Sequence, residues 1–210
     1  PILHNHGMTV AHVVSSSLFA MKCEDAGVDA IVAEGFEAGG HNGREETTTM
    51  ALIPQVRRVT SLPLIAAGGI ASGSAMLAAM ALGAEGVQIG TLFAMSRESS
   101  AADAFKQACM SLDEGSTMLC LKKISPTRLI KNDLFQRISE AEDRGASAED
   151  LRVLLGHAAS KRGIFDGDIA CGEMEIGQIA SAIKESHPVE DIISSLVDEF
   201  EMAKAKVIKM

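Results

Sequence analysis

Short apolar runs alternate with helical patterns through the first hundred residues, and this alternation constrains the fold more than any other feature. Thr9 to Val14 (TVAHVV), Asp29 to Ala33 (DAIVA), Leu64 to Ala67 (LIAA) and Gly86 to Ile89 (GVQI) read as strands. Helices are predicted over about Ser17–Ala26, Thr49–Val59 and Ser72–Leu82, the last with Ser72 and Ser74 as candidate caps. Strands that are apolar throughout and separated by helices belong to a parallel sheet covered on both faces. Glycines cluster after three of the four runs, where α/β folds bind ligands, whether the sheet is open or closed into a barrel.

Beyond about Ser100 charge density rises and strand patterns disappear. Segments 101–111, 131–144, 148–161 and 175–207 read as helical, the last containing an amphipathic stretch from Val189 to Lys206. The expected organisation is therefore residues 1–100 as β/α units and 101–210 as a helical segment. Four β/α units are half of an eight-fold barrel, a fold of about 250 residues. Two alternatives stand: a small open sheet, or the C-terminal half of a barrel whose first half is missing; the second is favoured.

Composition narrows the function. Apolar residues make up 47% of the 210, enough for a real core. A net charge of −9 without a Lys/Arg cluster argues against nucleic acid, as do seven Phe with no Tyr or Trp. No apolar run approaches the ~20 residues of a membrane span, and no leader is visible. Cys23, Cys109, Cys120 and Cys171 are scattered, which suits reduced thiols in the cytoplasm. Neither cysteines nor histidines show metal-ligand spacing, so no metal is expected.

Three loops carry chemistry. In Ala33–Gly43 (AEGFEAGGHNG), Gly39 and Gly40 would let a ligand lie against backbone, with the titratable His41 beside it. Taken alone, such a GGH is more often a turn with a solvated histidine. The turn Gly68-Gly69, before a helix start, and Gly90-Thr91, about 20 residues later, together form a candidate phosphate cradle. Gln88 reads either as a core amide or as a donor and acceptor facing a heterocycle. Glu34 and Glu37 flank the first loop without an assigned role, Ser15 and Ser16 are weaker candidates, and Lys122, Lys123 and Arg128 read as surface cations.

AEGFEAGGHNG followed by TTTM, then LIAAGGIASG, GVQIGTLF and GEMEIGQIAS, resembles the flavin-dependent nitronate monooxygenases and the related enoyl-acyl-carrier-protein reductase II enzymes over nearly the whole chain. The resemblance implies an α/β fold of the TIM-type (β/α)8 barrel, here its C-terminal four β/α units plus a helical C-terminal segment, with FMN at the mouth. It implies His41 as catalytic residue and Gly39, Gly40, Gly68, Gly69, Gln88, Gly90 and Thr91 as FMN contacts. NAD(P)H is implied if the activity is enoyl reduction, the side to which the wording GxEAGGHxG and the tail lean. Substrates would be small molecules or acyl thioesters, with acyl carrier protein as a partner of the second; a homodimer is left open. The competing readings are oxidation of alkyl nitronates by dioxygen, a catalytically silent phosphate-binding fragment, and a flavin-free barrel isomerase or synthase.

Overall fold

Each of the four apolar runs becomes a strand. The computed structural model describes residues 2–209, and the chain forms two compact units. One takes in the chain up to Glu37, Gly43–Ile89 and the chain from Ile193 onward; the other is Ala38–Asn42 with Gly90–Ile192.

After a short helix α1 (Ile2–Asn5), the first unit runs β1 (Ala11–Val14), α2 (Ser17–Asp25), β2 (Ala30–Glu34), α3 (Thr49–Arg57), β4 (Leu64–Ala67), α4 (Gly73–Ala81) and β5 (Gly86–Gln88). All four strands are parallel, and they lie in chain order β1-β2-β4-β5. A doubly wound sheet reverses its strand order at a switch point. Unbroken order is that of a singly wound sheet, so this sheet is an arc of a β/α barrel and the fold is α/β.

The core explains why these residues form it. Ile31, Ala33, Leu64 and Ala66 on the strands pack with Leu52, Ile53 and Val56 of α3 and Ala79 of α4, all essentially solvent-free. Helices α2 and α4 begin where serine can cap them. Ser16 Oγ accepts from Phe19 N–H at 3.4 Å and Ser72 Oγ from Ala75 N–H at 3.2 Å, so Ser72, of the two candidates, is the cap; such a cap contributes about 1 kcal/mol.

The second unit contains β3 (Gly40–His41), α5 (Thr91–Ala94), α6 (Asp103–Met110), β6 (Thr117–Cys120), β7 (Thr127–Ile130), α7 (Asp133–Asp143), α8 (Ala148–Leu155), α9 (Ala159–Ile164) and a 3-10 turn (Gln178–Ala182). Helix α10 (Val189–Ile208) ends the chain. Strands β3, β7 and β6 form an antiparallel sheet in that order, and a bridge between Leu129 and Glu175 extends it. The absence of strands expected after residue 100 is thereby corrected. All four residues of β7 are buried, yet two are Thr127 and Arg128, so no apolar run marks it. Helix over 175–207 is also corrected: residues 174 and 175 pair with β7, and α10 begins only after Pro188. The helix expected over 148–161 breaks at Gly156, whose φ of +67° stops α8.

Candidate active site

In the first unit the turns after β2 and β4 interlock. Gly35 N–H donates to Ala67 O at 2.9 Å. Glu37 accepts from Thr49 N–H at 2.9 Å, and the Thr49 hydroxyl lies 3.0 Å from Glu37 Oε2, 3.2 Å from Ala67 O and 2.8 Å from Gly68 O. Glu37 is thus committed to the start of α3, where a carboxylate meets the helix dipole. Glu34, half-buried at the end of β2, has its carboxyl pushed up by desolvation. Ser15, the weaker candidate after β1, faces Glu45 at 3.4 Å.

Gly68 and Gly69 have φ of +95° and +70°, so glycine is required there by backbone conformation. A Cβ on Gly68 would fall 2.7 Å from Gly35 O, and one on Gly69 3.1 Å from Glu37 Cβ. The space above both belongs to the protein's own chain. The following helix start is likewise engaged: Gly73 N–H donates to Glu199 Oε2 of α10 at 2.9 Å. Gln88 ends β5, opposite Ala67 in register, and is exposed; it is not a core amide.

In the second unit, Gly39, Gly40 and His41 are held along β7. Gly40 pairs with Arg128 and His41 with Thr127. Asn42 fastens the turn: its N–H donates to Pro126 O at 2.8 Å, and its Nδ2 to Ala38 O and Gly40 O at 3.0 Å each. Arg128, expected at the surface, is 1% exposed, and its Nε donates to Ala38 O at 3.1 Å. The imidazole of His41, by contrast, is exposed. A pinned backbone with a solvent-facing ring suits an acid–base group that meets a ligand.

Gly39 has no room for a side chain: a Cβ would lie 2.4 Å from Ile176 C and 2.6 Å from Gly177 N. That same Gly177 N–H donates to Thr91 Oγ at 3.2 Å. The peptide Ile176–Gly177 therefore brings Gly39 and Thr91, residues from two separate motifs, to one place, with His41 two residues along. Gly90 differs from the other candidate glycines. It caps α5 with φ −95°, and a Cβ there would meet nothing within 4 Å.

Residues 2–199 match the family model described as nitronate monooxygenase. The chain belongs to the nitronate monooxygenase family. A probable nitronate monooxygenase of Staphylococcus aureus (strain MSSA476) is 35% identical over 190 residues, covering 86% of this chain and 53% of that protein. FabK from Thermotoga maritima superposes with a TM-score of 0.91 at 37% identity, over 99% of this chain and 66% of that one. The nitroalkane oxidase from Streptomyces ansochromogenes gives a TM-score of 0.81 at 28% identity, over 98% and 61%. The chain thus spans about half the length of the curated relatives it matches.

Four residues that position this family member's candidate site escaped the sequence: Asn42, Thr49, Arg128 and Glu175. Thr49, Arg128 and Glu175 act through partners distant in the chain, whereas the Asn42 side chain bonds Ala38 and Gly40 within its own loop. Only Arg128 left a trace, as a charged residue in a four-residue β-compatible stretch.

Proposed function

We propose that this chain carries the flavin-facing half of an FMN-dependent oxidoreductase, with His41 as its acid–base group, and that the reaction is NAD(P)H-dependent reduction of enoyl-acyl-carrier-protein thioesters. The observation behind the first part is the meeting of Gly39 and Thr91 at Ile176–Gly177 beside an exposed His41. The second part draws on the greater likeness to FabK, an enoyl-acyl-carrier-protein reductase II, than to the nitroalkane oxidase, in both identity and superposition.

The residues fit a phosphorylated cofactor at Gly90 and Thr91. Backbone at Gly90 is open to an approaching group. The Thr91 oxygen accepts from Gly177, which leaves its hydroxyl proton to donate to an anion. Gly68, Gly69, Gly90 and Thr91 would hold the phosphate, Gln88 would offer its exposed amide, and Gly39 and Gly40 would lie nearest the flavin. Bound FMN supplies two-electron hydride chemistry. His41 would hydrogen-bond the thioester oxygen and protonate the developing enolate, a contribution of about 10²–10⁴ in rate. Residues 1–100 would form half of the barrel and 101–210 the appended segment. The setting would be the cytoplasm; among the described residues no helix is long and apolar enough to cross a membrane.

A second reading, oxidation of alkyl nitronates with dioxygen, is favoured by the family model and by the curated relatives. The deciding experiment reconstitutes the protein with FMN and follows NAD(P)H oxidation with crotonyl thioester against oxygen uptake with a nitronate. Turnover of NAD(P)H, reduced at least about 100-fold in His41→Asn, supports enoyl reduction. Nitronate-driven oxygen uptake without NAD(P)H turnover overturns it. A well-folded chain that takes up no flavin makes it a silent phosphate-binding fragment.

A further inference from the structure

Of the asparagines in the chain, Asn5 is followed by His6, Asn132 by Asp133 and Asn42 by Gly43. The fold dictates both members of the last pair. Asn42 is needed for its two amide hydrogens, since Nδ2 donates to Ala38 O and to Gly40 O at 3.0 Å each. Ala38 O also accepts from the buried Arg128 Nε at 3.1 Å, and the Asn42 N–H donates to Pro126 O at 2.8 Å. An aspartate has the same shape and neither amide hydrogen. Residue 43 has no room for a side chain: a Cβ would fall 2.3 Å from Ser15 Cβ and 2.4 Å from Ser15 Oγ.

The pair so fixed is chemically labile. When the backbone nitrogen of residue 43 loses its proton to water, it can attack Asn42 Cγ, and the absence of a Cβ leaves that attack unobstructed. The N–Cγ bond forms, the Cγ–Nδ2 bond breaks, and Nδ2 leaves as ammonia with a proton returned by water. The five-membered succinimide is then opened by water at either of its carbonyls, giving aspartate or isoaspartate. No electrons are gained or lost. Asn42 is half-buried, so water reaches it.

The folded loop opposes this reaction. Attack makes Cγ tetrahedral and ends the planarity that aims the two amide hydrogens at Ala38 O and Gly40 O. Ammonia cannot depart while both hydrogens are bonded. The native chain must therefore give up two hydrogen bonds that the unfolded chain never holds. The product in turn opposes the loop. At neutral pH an aspartate only accepts, so both carbonyls lose a donor and face a negative charge. Isoaspartate also lengthens the main chain by one carbon, directly after His41.

We propose that Asn42 is a deamidation site which the folded loop holds in check, and that its conversion to aspartate or isoaspartate frees the turn that carries His41. Nothing in this depends on the assigned reaction.

The test incubates the full chain at pH 8, native and in denaturing urea. Conversion of the Asn42 peptide is followed by mass spectrometry after digestion, with isoaspartate separated by chromatography. The native chain should convert at least about tenfold more slowly, and about 30-fold if two net hydrogen bonds count in full. A smaller ratio, or conversion at Asn42 no faster than at Asn5 and Asn132 in the denatured chain, overturns the proposal. Amide exchange in Asn42→Asp reads the consequence. The residue-42 N–H should lose at least about tenfold in protection, while Ile31 N–H, bonded to Pro63 O beside the barrel sheet, keeps its own. Unchanged protection at residue 42, or an equal loss at Ile31, would show that the amide does not pin the turn. Neither measurement uses flavin or turnover, so a chain without reductase activity would fault the assigned reaction and leave this site standing.

Discussion

Replacing Gly39 with alanine tests whether the double glycine of the GGH loop is dictated by the fold or by a ligand. The added Cβ would sit 2.4 Å from Ile176 C, 2.6 Å from Gly177 N and 2.7 Å from Ile176 Cα. Ordinary contact begins near 3.4 Å, so one strand must retreat by about an ångström. Neither is free to do so. Residue 174 is tied to Ile130, Gly177 to Thr91 Oγ, and Ala38 O to Arg128 Nε. Overpacking of this kind costs about 1–3 kcal/mol, and one broken hydrogen bond adds about 1 kcal/mol. The expected loss is about 2–4 kcal/mol, against total stabilities of about 5–15 kcal/mol. With a urea slope of about 2 kcal/mol per molar, the midpoint of unfolding, followed by far-UV circular dichroism, should fall by about 1–2 M. A midpoint within about 0.2 M of the unaltered protein would show that the loop relaxes freely, and the packing account of Gly39 would be wrong.

Gly90→Ala should behave oppositely. With open space and a negative φ, its folding cost should stay within about 1 kcal/mol, while retention of FMN in equilibrium dialysis falls at least tenfold; unchanged retention would remove Gly90 from the phosphate contacts. Burial pushes the Cys109 and Cys120 thiols up to about 12, and Cys171 is exposed with Cys23 partly so. A disulfide reagent at pH 8 should therefore label Cys171 quickly, Cys23 slowly and the other two only in denaturant; rapid labelling of all four would contradict the packing. Because burial raises the Glu34 carboxyl, the folded state prefers it neutral. Its cost is absent at low pH and appears as pH rises through the folded value. Glu34→Gln should accordingly gain stability relative to the unaltered protein at pH 8 but not at pH 4, read from urea midpoints; equal differences at both would refute the desolvation account.

The barrel strands were legible because burial on both faces writes itself as unbroken apolar sequence. Ala30–Glu34 and Leu64–Ala67 are such runs, and the Ser72 cap of the helix that follows the second is equally visible. The antiparallel sheet was not legible for the converse reason. Arg128 lies in a fully buried strand because the Ala38 carbonyl satisfies its Nε, and that carbonyl comes from a loop far back in the chain. Sequence periodicity registers side-chain polarity, not the partner that neutralises it. The site divides in the same way. The GGH loop and the turns at 68–69 and 90–91 stand out by glycine content, whereas Thr49, Glu175 and Glu199 act through long-range hydrogen bonds that local sequence does not record.

The glycines of the candidate site have two different causes, and the distinction governs how a cofactor reading is defended. Gly40, Gly68 and Gly69 hold positive φ, and Gly39 is closed off by the Ile176–Gly177 backbone. Each would be glycine in this fold whether or not a flavin ever bound. Their presence after strands therefore supports the architecture and adds little of its own for the ligand. Gly90, the exposed amide of Gln88 and the outward ring of His41 are in the opposite position. Backbone geometry and packing leave each of them tolerant of replacement, and two of them are polar groups presented to solvent from anchored chain. What the fold does not require, a bound partner can explain. The proposed reading of a phosphorylated flavin thus draws on Gly90, His41 and Thr91 of the second unit, and separately on Gln88 of the first, more than on the glycine content of the loops.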